Sequence, residues 1–98
     1  MIISAEQKNE KMTLHIEGRL DTITSPELEK KINALPEEIT GLILDMEGVT
    51  YISSAGLRVL LGAQKKMSKI GSMKLIGVCD AVMEILEMTG FADILVIE

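Results

Sequence analysis

Tryptophan is absent, and Tyr51 and Phe91 are the only aromatic residues, so the core must be built from aliphatic side chains. Seven methionines join the many Ile, Leu and Val residues, with Met as the adaptable filler. A single cysteine, Cys79, rules out an internal disulfide and offers no paired thiolate ligands for a metal. A single histidine, His15, leaves little material for His-based catalysis. Positive charge is short as well: 10 Lys and Arg face 15 Asp and Glu, for a net charge of -5. An acidic chain gains nothing from counterion release on a phosphate backbone, which argues against direct nucleic-acid binding. No apolar run approaches the roughly 18–20 residues of a membrane span. The residues Met1-Ile2-Ile3-Ser4-Ala5-Glu6 lack the basic start and apolar stretch of a signal peptide, so a cytoplasmic location is expected.

Ninety-eight residues are enough for one domain, taken as residues 1–98, and too few for a deep enclosed active site. After a short apolar start and the polar turn Gln7–Lys11, Met12, Leu14 and Ile16 alternate with Thr13, His15 and Glu17. That period of two predicts a half-buried strand, paired with the first segment as a hairpin. Ser25-Pro26 reads as an N-cap followed by proline at the first helical position, with Leu28, Ile32 and Leu35 as the apolar stripe. The run Gly41–Met46 predicts a central parallel strand covered on both faces, and Glu47–Ile52 the loop leaving it. Leu57, Leu60, Leu61 and Met67 mark the next helix, with Gly71 as its C-terminal cap. Met73–Val78 is a strand, Asp80 caps a helix ending at Gly90, and Asp93–Ile97 is a last strand. The order ββαβαβαβ predicts an α/β domain: a mostly parallel sheet of about five strands with an amino-terminal hairpin, packed by three to four helices.

Few residues carry recognisable chemistry. His15 points outward from its strand with no evident partner and reads as a solvated histidine. Cys79 reads as a buried, inert thiol. No Gly-x-Ser-x-Gly elbow and no Gly-rich phosphate loop is present. Asp45, near the end of the central strand, is where a response-regulator receiver would accept a phosphoryl group. The acidic pair a receiver uses to hold Mg²⁺ is missing, so Asp45 reads as a strand-end or loop-capping carboxylate. The informative segment is Tyr51-Ile52-Ser53-Ser54-Ala55-Gly56-Leu57. Its serines stand where an N-cap belongs, and Ala55 and Gly56 keep the helix start open to an approaching partner. The free N–H groups and dipole of a helix start tolerate a phosphate, so a serine here can be phosphorylated without wrecking the fold.

Three stretches resemble a STAS domain, and within that family the bacterial anti-sigma factor antagonists. Gly18-Arg19-Leu20-Asp21 is similar to the turn after the family's second strand. Leu42–Met46 with Tyr51–Leu57 is similar to its central strand and phosphorylation site, and Met88-Thr89-Gly90-Phe91 to the end of its last conserved helix. The resemblance implies a protein that is not an enzyme and needs no cofactor and no metal. It implies a partner that is both an anti-sigma factor and a serine kinase, with a phosphatase to reverse its action; the free form is expected to be a monomer. Unphosphorylated antagonist captures the kinase and frees a sigma factor; phosphorylation ends the capture. Register with Gly56 and Leu57 puts the acceptor at Ser54, with Ser53 the alternate. The family's usual Asp-Ser-Ser-Gly is here Ser53-Ser54-Ala55-Gly56, so Ser53 stands in place of an aspartate. Asp21, Thr22, Ser53, Ser54, Gly56 and Arg58 are the expected partner-binding residues. Two alternatives stay open: a STAS subunit of a membrane lipid or other transport complex, and a receiver-like phosphoacceptor domain.

Overall fold

The alternation of Met12, Leu14 and Ile16 is that of a strand with one buried and one half-open face, and all three are buried. A computed structural model describes Met1–Glu98. In it, β1 (Ile2–Lys8) and β2 (Lys11–Leu20) form an antiparallel hairpin, turning at Asn9 in the left-handed conformation. Helix α1 (Ser25–Asn33) follows, then β3 (Gly41–Ile52), α2 (Ser54–Ile70), β4 (Ser72–Ile76) and α3 (Asp80–Met88), with a 3-10 turn at Phe91–Asp93. The sheet has four strands in the order β1-β2-β3-β4, and both β2–β3 and β3–β4 are parallel.

The sheet is thus mixed and smaller than the five strands expected. The expected last strand, Asp93–Ile97, is reduced to one bridge between Ile97 and Leu75, because the 3-10 turn consumes the residues before it. Nor is β3 covered on both faces. Leu42, Leu44 and Met46 are buried with residues of all three helices in one apolar cluster, whereas Ile43 and Asp45 are only half-buried on the other side. Alternate strand residues face opposite ways, so the helices share one face of the sheet and leave the other open.

Residues Glu47–Ile52, expected as a loop, continue β3. Two register shifts against β2, between His15 and Glu17 and between Gly18 and Arg19, each place an extra β3 residue opposite the hairpin. The buried residues of this stretch are Val49 and Ile52, spaced by three, so strict alternation is lost while pairing continues.

Helix starts are displaced by one residue from expectation. Thr24 is the N-cap of α1, and Ser25 lies buried in the first turn, its hydroxyl donating to the Asp21 carbonyl. Cys79 precedes α3 as N-cap residue without a side-chain cap, and Asp80 is the acidic residue of the first turn. The Cys79 thiol is half-buried, 3.5 Å from the Val49 carbonyl. Gly71 does end α2, its N–H bonded to the Met67 carbonyl at 2.7 Å. The need for glycine there is one of space: a Cβ would lie 1.7 Å from the Thr40 carbonyl oxygen.

Candidate functional site

The Leu20 carbonyl accepts the Ser53 N–H at 2.9 Å, which joins the end of β2 to the start of α2. Ser53 is extended, with φ -97° and ψ 175°, and its hydroxyl accepts the Gly56 N–H at 3.4 Å as the helix N-cap. Ser54 is the first helical residue and is exposed, while Ser53 is half-buried. The two serines therefore differ in role: one oxygen serves the helix, the other faces solvent.

Gly56 lies inside. It is buried, and a Cβ on it would come within 2.8 Å of the Leu20 carbonyl oxygen and 2.9 Å of the Ile52 side chain. Its absent side chain lets α2 sit directly on the strand ends, so its part in any docking is to seat the helix.

The β2–α1 loop is held as tightly. Asp21 Oδ1 accepts the Ile23 and Thr24 N–H groups, each at 3.0 Å, and the Thr24 hydroxyl accepts the Asp21 N–H at 2.9 Å. The Thr24 N–H first, then the Thr24 hydroxyl, the Ile23 N–H and Arg19 at 3.9 Å, hold the Asp21 carboxyl below the usual carboxylate range. A shallow cleft between α1 and α2 brings together Thr22, Pro26, Glu29, Ala55 and Arg58. Thr22 and Arg58 are exposed, and Arg58 is in none of the chain's ion pairs. Asp21, Thr22, Ser53, Ser54 and Arg58 thus share one end of the molecule, beyond the carboxyl ends of β2 and β3. Sequence pattern passes over one neighbour: Ile23, whose side chain is 84 % exposed on this rigid loop. The signal was an isoleucine in a polar segment, outside any apolar stripe.

His15 has the partners that its sequence surroundings conceal. Parallel pairing sets it opposite Asp45, thirty residues on, and its Nδ1 lies 2.7 Å from Asp45 Oδ2. Its Nε2 lies 3.0 Å from Glu6 Oε1 on β1. Both ring nitrogens face carboxylates, and only an imidazolium has a proton for each. The hydrogen bond to Asp45, then that to Glu6, raises the His15 pKa above its ordinary 6.5. The bond to His15, then the Glu47 N–H, lowers Asp45 below 3.8. Asp45 is thus a mid-strand carboxylate with both oxygens engaged, and the His, Cys, Asp and Glu side chains form no group arranged to hold a metal ion.

The pair sets a pH window. Stability from His15 is complete below about pH 6.5 and is lost as pH rises through its raised pKa. Stability from Asp45 is complete above about pH 3.8 and is lost as pH falls through its lowered pKa. The contribution therefore peaks between about pH 4 and 6.5. Thermal unfolding of His15→Gln at pH 6 and pH 9 should show a smaller drop in midpoint than wild type; an equal drop would remove His15 from the account.

Comparison with known proteins adds a family. The model for the STAS domain matches residues 3–98. The anti-sigma-B factor antagonist of Bacillus subtilis is 29% identical over 94 residues, covering 95% of this chain and 86% of that protein. An anti-sigma factor antagonist from Mycobacterium paratuberculosis superposes with a TM-score of 0.87 at 22% identity, over 98% of this chain and 83% of that one. The Bacillus cell fate determinant SpoIIAA, solved in its phosphorylated form, superposes with a TM-score of 0.76 at 17% identity, over 99% and 91% of the two chains. No helix is long and apolar enough to cross a membrane.

Proposed function

Since the chain belongs to the STAS domain family, we propose that it acts as an anti-sigma factor antagonist, a cytoplasmic binding protein switched by phosphorylation of Ser54. Unphosphorylated, it captures an anti-sigma factor that is also a serine kinase, and a sigma factor is released. The kinase then moves the γ-phosphoryl group of ATP to Ser54 Oγ; ADP leaves, and the hydroxyl proton passes to a base of the kinase. The phosphate ends the capture, and a phosphatase resets the switch. The free domain is a monomer.

One observation supports this proposal above others: Ser54 is an exposed first residue of α2, next in the chain to Ala55 of the cleft that Thr22 and Arg58 line, while Ser53 is occupied as the helix cap. To reach a kinase, the Ser53 hydroxyl must leave the half-buried position in which it accepts the Gly56 N–H, whereas the Ser54 hydroxyl is exposed and makes no hydrogen bond in the fold. The B. subtilis relative's description as an antagonist supports the choice of partner. Asp45 has no place in the switch, since its carboxylate is committed to His15 and the Glu47 N–H.

The test is phosphate mapping by mass spectrometry after incubation with ATP and each anti-sigma kinase of the same cell. A single phosphate on Ser54, absent from Ser54→Ala, is expected. Undiminished labelling of Ser54→Ala would refute the acceptor assignment. Copurification with a membrane transporter in place of a kinase would overturn the antagonist function itself.

A further inference from the structure

Taking Ser54 as the acceptor, and resting on that assignment, we infer that Arg58 is the intramolecular partner of the Ser54 phosphate, so that phosphorylation withdraws from the docking surface the cation that the unphosphorylated domain offers its kinase. Both residues lie in α2, four positions apart, and side chains so spaced are neighbours on one helix face. Helical side chains lean toward the amino terminus and cover the turn before their own Cα. From the cleft that it lines, the Arg58 side chain therefore has a route that brings its guanidinium over the turn that begins at Ser54.

Nothing competes strongly for that guanidinium. Arg58 is exposed and in no ion pair. Glu29, across the cleft on α1, lines the same cleft without pairing with it. Asp21, the other nearby acid, is occupied by its own loop and by Arg19. Arg58 is the first cation along α2, the next being Lys65, and Arg19 on the end of β2 is held over the Tyr51 ring at 4.2 Å and beside Asp21 at 3.9 Å. A phosphoserine brings about 1.5 to 2 negative charges and three acceptor oxygens, which a planar guanidinium binds with two parallel N–H donors.

Two changes then follow from one modification. A negative group appears on the surface, and a positive group beside Thr22 and Ala55 is turned inward to neutralise it. The kinase surface that fits the unphosphorylated domain carries a carboxylate against Arg58, and that carboxylate meets a phosphate and no free cation after transfer.

Phosphoserine installed at position 54 during translation tests this without a kinase. A ³¹P NMR titration should give a second phosphate pKa lower in the wild-type background than in Arg58→Gln by about 0.3–1 unit, since an adjacent cation favours the dianion. Coincident titration curves would overturn the inference, whatever the kinase does. In binding assays with the cognate kinase, the fold-loss of affinity on phosphorylation should be several times smaller for Arg58→Gln than for wild type. Equal losses would also overturn it. Failure of unphosphorylated wild type to bind any anti-sigma kinase would instead refute the proposed function and leave the NMR result standing.

Discussion

Gly71→Ala should lower the unfolding free energy by about 2–4 kcal/mol, the largest effect expected of any one-carbon change in this chain. The added Cβ would stand 1.7 Å from the Thr40 carbonyl oxygen, a backbone atom that cannot swing aside as a side chain can. That carbonyl accepts the Ser72 N–H at 2.9 Å, and the pair Gly41–Ser72 opens the β3–β4 ladder. Relief requires the α2–β4 connection to move by more than an ångström, which breaks that bond and disturbs the register of β4. At about 4–8 °C per kcal/mol for a domain of this size, the midpoint should fall by about 8–32 °C. Gly62→Ala is the control. Gly62 is an exposed interior residue of the same helix with nothing within 4 Å of a Cβ, so alanine should add about 0.5–1 kcal/mol. A Gly71→Ala midpoint within two or three degrees of wild type would show that the close approach to Thr40 is not tight.

The second large effect is on binding. Ser54→Asp should weaken capture of the kinase at least about tenfold, or 1.4 kcal/mol, because a carboxylate then occupies the surface where a hydroxyl stood. The fold should not suffer, since an acidic side chain in the first turn of a helix meets its positive end favourably. Ser54→Ala removes the acceptor without adding charge and should bind as wild type does. Measured side by side by titration calorimetry, the two variants separate loss of a hydroxyl from gain of a charge. If Ser54→Asp bound as tightly as Ser54→Ala, charge at this position would not be the switch.

Much of this was legible before any coordinates. The three helices lie where their apolar stripes put them, within a residue or two at the ends, and a serine cap ahead of Leu57, Leu60 and Met67 was expected, though which of Ser53 and Ser54 supplies it was not. What escaped has a common physical cause: it depends on residues distant in the chain. The extension of β3 through Ile52 was hidden because two extra residues break the alternation between Met46, Val49 and Ile52. The His15–Asp45 contact exists only because β2 and β3 pair in parallel, a choice no local pattern announces. The open face of the sheet was hidden too, since Leu42-Ile43-Leu44 looks the same whether one or both sides are covered. At the candidate site, the resemblance to the STAS family, and not composition or spacing, singled out Ser54, Thr22 and Arg58. The inward position of Gly56 and the outward one of Ile23 required the packing of α2 on Leu20.

The bond from the Ser53 N–H to the Leu20 carbonyl bears on the speed of the proposed switch. It ties the helix carrying the acceptor to the strand leading into the Asp21 loop, and that loop is closed by its own hydrogen bonds. These hydrogen bonds fix the backbone of the two halves of the surface relative to each other. In the proposed switch, phosphorylation then changes side chains at positions 54 and 58 and leaves the backbone of the surface as it was, so no slow backbone rearrangement stands between modification and release. The lifetime of the complex is then governed by how fast the partner dissociates once the charge is in place.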